Sequence, residues 1–146
     1  MSIQQLYRDV ILEHNRRPHN YQRLREVTHS ARGQDASCGD DLLMELKVID
    51  NTVQEAAFSG HACAVTMAAA SLLTVWLRGR SAEEVRSGLK QFSALLNDPE
   101  APVEPALGDL NELQPVGAFP ARRRNALLPW RTTVKALDAP QAEPLP

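Results

Sequence analysis

Cys38-Gly39-Asp40 sets a thiol and a carboxylate two residues apart around a glycine. Both side chains can bind a borderline-soft cation such as zinc, and glycine lets the backbone between them turn tightly. The same triplet also fits a turn that happens to hold a cysteine. Cys63 follows Gly60-His61-Ala62 and opens an apolar run. At a helix N-terminus, free amides and the positive end of the helix dipole favour a thiolate, which is both nucleophile and metal ligand. Plain core packing is the other reading of such a cysteine. His61 lies two residues before Cys63 and is a candidate extra member of the same site, or a turn residue. Arg122-Arg123-Arg124 is a basic cluster. Helix neighbours are about 100° apart, so the three cannot share one face. The cluster reads as solvated surface or as a docking surface for an acidic partner.

The elements that must hold these residues follow from periodicity and punctuation. Ile3, Leu6, Tyr7, Val10 and Ile11 recur at helical spacing behind Ser2, which predicts a first helix ending near Asn15, before Pro18. Residues 16–36 are polar and Arg-rich and read as a long loop. Leu42 to Val48 alternates, with Met44, Leu46 and Val48 on one face and Glu45 and Lys47 on the other, which predicts a strand. Asp50-Asn51 is a turn, and Thr52 to Phe58 the returning strand, ended by Gly60. Ala62 to Arg78 is apolar nearly all round and reads as a buried helix stopped by Gly79. Ser81-Ala82-Glu83-Glu84 is a capping box for a helix to about Leu96. Residues 97–119 read as a Pro-rich connection with at most a short helix at 108–113. Pro120 opens a last helix to about Leu137, and Pro129 within it should kink the helix or free the carbonyl of Asn125. Met44, Leu46, Val48, Leu72, Leu73, Val75 and Trp76 are the expected core. The fold class is α+β: a small antiparallel sheet with helices packed on one face.

Composition bounds the function. The chain has 146 residues, 43% hydrophobic and 23% charged, with a net charge of −2. That suits one domain, expected over residues 1–138, with a Pro-rich tail over 139–146 expected to be disordered. The near-neutral balance argues against a chain-wide grip on nucleic acid. No apolar segment reaches the roughly 18 residues of a membrane span, and the N-terminus lacks a signal core. The reading is a cytoplasmic protein whose two cysteines are reduced. Charge is uneven. Residues 81–112 carry seven acidic and two basic side chains, and residues 121–146 five basic and two acidic.

Taken in order, these pieces resemble the U-type iron–sulfur assembly proteins, the SufU/IscU/NifU-N-terminal family, over about residues 3–138. The first helix carries a family-like Leu6-Tyr7-x-x-Val10-Ile11-Leu12-x-His14, followed by Pro18-His19-Asn20. Cys38-Gly39-Asp40 matches the first ligand motif. Phe58-Ser59-Gly60-His61-Ala62-Cys63 and the small-residue run after it match the second, with Ala62 where a glycine is usual. The segment from Gly79 to Pro120 resembles the insertion that marks the SufU type. The departure is at position 125. Arg122, Leu128 and Trp130 align with the family pattern, and Asn125 stands where the third ligand cysteine is expected. Arg124 stands where the IscU type has a histidine.

The resemblance implies a role in iron–sulfur cluster biogenesis: acceptance of persulfide sulfur from a SufS-like cysteine desulfurase and its passage to other assembly proteins. It implies Cys38 and Cys63 as the reactive cysteines, Cys38 as the mobile acceptor thiol. It also implies a zinc or iron site on Cys38, Asp40 and Cys63, with Asn125 beside it; His61, two residues before Cys63, is a candidate extra member. Zinc prefers four ligands, and Asn125 offers only a neutral amide oxygen. A transient iron–sulfur cluster, which usually wants four cysteines, is the less favoured cofactor. Arg122, Arg123 and Arg124 are expected near the partner surface. The alternative is a degenerate, non-catalytic paralogue that binds or regulates the assembly machinery.

Overall fold

The structure is a computed structural model, described over residues 2–139. The tail expected over 139–146 thus lies, apart from Ala139, outside the described residues. The first helix, α1, runs over residues 3–16. Ser2 and Gln5 close a capping box at its start, and the middle stretch Tyr7–Ile11 widens into a π turn before Leu12–Arg16. Leu6, Val10 and Ile11 face the core. Three strands follow, β1 (His29–Asp35), β2 (Asp40–Ile49) and β3 (Thr52–His61), antiparallel in the order β1-β2-β3. The helices are α2 (Ala64–Leu77), α3 (Ala82–Asn97) and α4 (Pro120–Asp138), with a 3-10 segment, Pro105–Ala118, before α4.

The alternation on β2 decides which side is buried. Asp40, Leu42, Met44 and Leu46 point one way and are all at most 3% exposed. Their partners Phe58 and Ala56 on β3 share that face. On β1, Gly33 pairs with Leu42, and a Cβ on Gly33 would run into Thr132 and Leu128 of α4. The missing side chain is what lets α4 lie against β1. On the opposite face, residues 17–28 cross the sheet. Tyr21 bridges β3 at Phe58, Arg23 and the Leu24 amide bind the buried Glu45 carboxylate, and the Thr28 amide donates to Leu46.

The polar stretch 16–36 therefore contains a strand where a loop is expected. β1 is a sheet edge, and its residues other than Gly33 are at least partly exposed, so it carries no apolar alternation to read. The connection 97–119 is also more ordered than expected. Leu107, Leu110, Leu113 and Val116 are all buried at intervals of three, the period of a 3-10 helix, and only Gly108 (φ 53°) breaks it. Val75 is a further correction: it is 55% exposed, on a face of α2 that lines open surface grooves. Val48 and Trp76 are part-buried at the edge of the core. The remaining expected core residues are buried. At Pro129 the Asn125 carbonyl loses its helical donor, and the Thr66 hydroxyl reaches it at 3.4 Å.

Candidate functional site

Asp40 is the centre of the site. It opens β2 on the helix side of the sheet, beneath the first turn of α2. Its Oδ1 accepts the Cys63 amide at 2.7 Å. Its Oδ2 accepts the Thr66 hydroxyl at 2.6 Å and the Asn125 side-chain amide at 3.1 Å. Cys63 is the N-cap of α2 and has no side-chain cap of its own, so the carboxylate supplies one from another strand. It is also an anion at the positive end of a buried helix. The Cys63 sulfur lies 3.3 Å from Thr66 Oγ1 and 3.9 Å from Asp40 Oδ2. Asn15 anchors the same corner by donating to the carbonyls of Ile11 and Ala64.

Cys38 sits on the turn between β1 and β2, where Gly39 takes φ 71° with open space beside it. Its sulfur is part-buried and points at Asn125 Oδ1, 3.7 Å away. Arg124 clamps this turn from α4. Its Nε donates to Asp35 at 2.8 Å and its Nη2 to Ser37 Oγ at 3.0 Å. Donation by Arg124, joined by Ser37, holds the Asp35 carboxyl down at about 2. The pair with Asp35, with a smaller contribution from the neighbouring Cys38, raises the Arg124 guanidinium in turn. A fixed cation therefore stands beside the Cys38 sulfur.

The predicted residues divide as follows. Cys38, Asp40, Cys63 and Asn125 come together, drawn from the β1–β2 turn, the start of β2, the start of α2 and the first turns of α4. His61 does not join them. It is exposed and pairs with Asp41, so its side chain lies on the opposite face of the sheet from Asp40. The three arginines point three ways. Arg122 is exposed, Arg123 buttresses Gly117 and Asn97, and Arg124 holds the Cys38 turn. Sequence reasoning missed Thr66, Asp35 and Ser37. Thr66 was findable, since it lies three residues past Cys63 and so on the same face of α2.

The residues present do not make a closed metal site. Asp40 already receives three donors from the chain, and Asn125 offers an amide where a fourth anionic ligand would stand. Among the described residues, no three His, Cys, Asp or Glu side chains converge as a metal centre requires.

This arrangement belongs to a recognised family. The chain matches the NifU-like N-terminal domain over residues 6–124, and it is a member of that family. It is 32% identical over 136 residues to the zinc-dependent sulfurtransferase SufU of Bacillus subtilis, covering 93% of this chain and 92% of that protein. It is 28% identical over 135 residues to the iron–sulfur cluster assembly scaffold protein IscU of Streptococcus pyogenes, covering 92% and 84%. In fold it superposes on the SufU crystal structure from Fervidobacterium islandicum with a TM-score of 0.83 at 21% identity, covering 93% of this chain and 99% of that one. No helix among the described residues is long and apolar enough to cross a membrane.

Proposed function

We propose that this protein acts in iron–sulfur cluster assembly as an acceptor of sulfane sulfur from a cysteine desulfurase, with Cys38 as the accepting thiol. The observation that carries the proposal is the position of Cys38: on a tight, partly open turn, beside a guanidinium held in place by Asp35. Membership of the family and the likeness to a sulfurtransferase supply the class of reaction.

The step is a thiol–persulfide exchange. The Cys38 thiolate attacks the outer sulfur of a persulfide on the desulfurase. A Cys38–sulfur bond forms, the bond to the desulfurase cysteine breaks, and that cysteine leaves with the electron pair as a thiolate and takes up a proton. No outside oxidant or reductant is needed. Arg124 is a counter-charge to the thiolate before attack and to the persulfide after it. Next to Cys38, the space where a Gly39 Cβ would stand is open. Cys63 is tied into the Asp40 network and packs against the core, so it is the retained thiol. The exposed Arg122 is available to a desulfurase surface. The setting is the cytoplasm, where both thiols stay reduced.

The test is sulfur loading. Purified protein is incubated with a SufS-type desulfurase and cysteine, then read by peptide mass spectrometry. One added sulfur atom on Cys38, retained in Cys63→Ser and absent from Cys38→Ser, is the expected result. A second reading is favoured by one observation, the asparagine at position 125: a non-catalytic paralogue that binds the desulfurase. It predicts a complex with the desulfurase and no added sulfur.

A further inference from the structure

We infer that this chain is a metal-independent member of its family, with Asn125 as the residue that closes the site without a metal ion. The hydrogen bonds at Asp40 are complete without a cation. A buried carboxylate that lacked partners would be costly and would itself argue for a missing cation. Asp40 has no such deficit. Its two oxygens receive an amide, a hydroxyl and a carboxamide, all within 3.1 Å, the first two from the start of α2 and the third from α4. Among the described residues no buried side-chain nitrogen or oxygen lacks a partner.

Asn125 makes this possible because its amide has two ends. Its Nδ2 donates to Asp40, while its Oδ1 accepts from the Cys38 thiol at 3.7 Å. A thiolate at this position has no proton to donate to Asp40. It would face the Asp40 carboxylate and the Cys38 sulfur as a third or fourth anionic donor, and such a set requires a cation. Asparagine at 125 thus removes both a ligand and the need for one. The side chain is completely buried, so its choice of partners is fixed by packing and not shared with water.

The inference concerns the same site as the proposed sulfur acceptance but does not rest on it, and zinc content and sulfur loading are separate readouts. The protein is purified without chelator, and zinc is measured alongside thermal unfolding with added zinc and with added chelator. The expected result is zinc far below one per chain and an unfolding midpoint that neither addition moves. Asn125→Cys is expected to bind about one zinc per chain, with a midpoint that rises with zinc and falls with chelator. One zinc per chain in the natural protein, or a midpoint that chelator lowers, overturns the inference. So does a folded Asn125→Cys that stays zinc-free. Should that variant fail to fold, the zinc and chelator titrations of the natural protein decide alone.

Discussion

Replacing Thr66 by valine isolates the hydroxyl that donates to Asp40. The two side chains have nearly the same shape, and Thr66 is fully buried, so the substitution opens no cavity. What is lost is a 2.6 Å hydrogen bond to a carboxylate that is itself 3% exposed. Hydrogen bonds to charged groups contribute about 1.5–3 kcal/mol, and a buried acceptor left short of a donor sits in that range. Asp40 keeps the Cys63 amide and the Asn125 amide, so the lower half applies, about 2 kcal/mol. For a chain of this size that lowers the melting midpoint by about 4–8 °C. Thr66→Ser is the control. It keeps the hydroxyl and deletes one buried methyl, for about 1 kcal/mol. Differential scanning calorimetry of the three proteins reads the order directly. A valine variant as stable as the natural protein, or more stable than the serine variant, would refute the claim that Asp40 depends on this donor.

Other consequences can be checked separately. Asp35 has its carboxyl lowered from 3.8 to about 2 by Arg124 and Ser37, so their contribution to stability is fully present above the unfolded value and is lost as pH falls from about 4 toward 2. Arg124→Gln should therefore be less stable than the natural protein at neutral pH, with the gap in urea midpoint narrowing through that window; a gap that stays constant down to pH 2 would contradict the pairing. Gly117→Ala would drive a Cβ into the Leu96 carbonyl, a backbone atom that cannot turn aside. A loss of about 3 kcal/mol in urea unfolding is expected, and an unchanged midpoint would show that α3 and the 3-10 segment can separate freely. His61→Ala should leave both stability and sulfur loading unchanged, since its ring lies across the sheet from Asp40; a lost loading reaction would place His61 in the site after all.

The central hairpin and the three later helices were legible in the residues because each announces itself by a strong local signal. Met44, Leu46 and Val48 alternate, Gly79 stops α2 with a left-handed turn, and Ser81 with Glu84 caps α3. β1 was not legible, because an edge strand whose side chains mostly meet solvent or a crossing helix needs no apolar period. Its one buried position is a glycine, whose meaning appears only when α4 lies against it. The 3-10 segment was hidden differently. Its interval of three was present at Leu107, Leu110, Leu113 and Val116, but its prolines and glycines read as loop punctuation. Three site residues, Cys38, Asp40 and Cys63, stood out by chemistry and spacing, and Asn125 by its departure from a pattern. Thr66 and Asp35 did not, since a threonine in a helix and an aspartate in a polar stretch look ordinary until a carboxylate and a guanidinium meet them. His61 misled through proximity in sequence, which a strand converts into opposite faces.

The most direct measurement is sulfur loading of chelator-treated protein by a cysteine desulfurase, with the extra sulfur located by peptide mass spectrometry and zinc measured in the same sample. A sulfur atom on Cys38 at full rate with no zinc present is the expected result. Loading that appears only after zinc is restored, or that falls on Cys63 and not on Cys38, would contradict it.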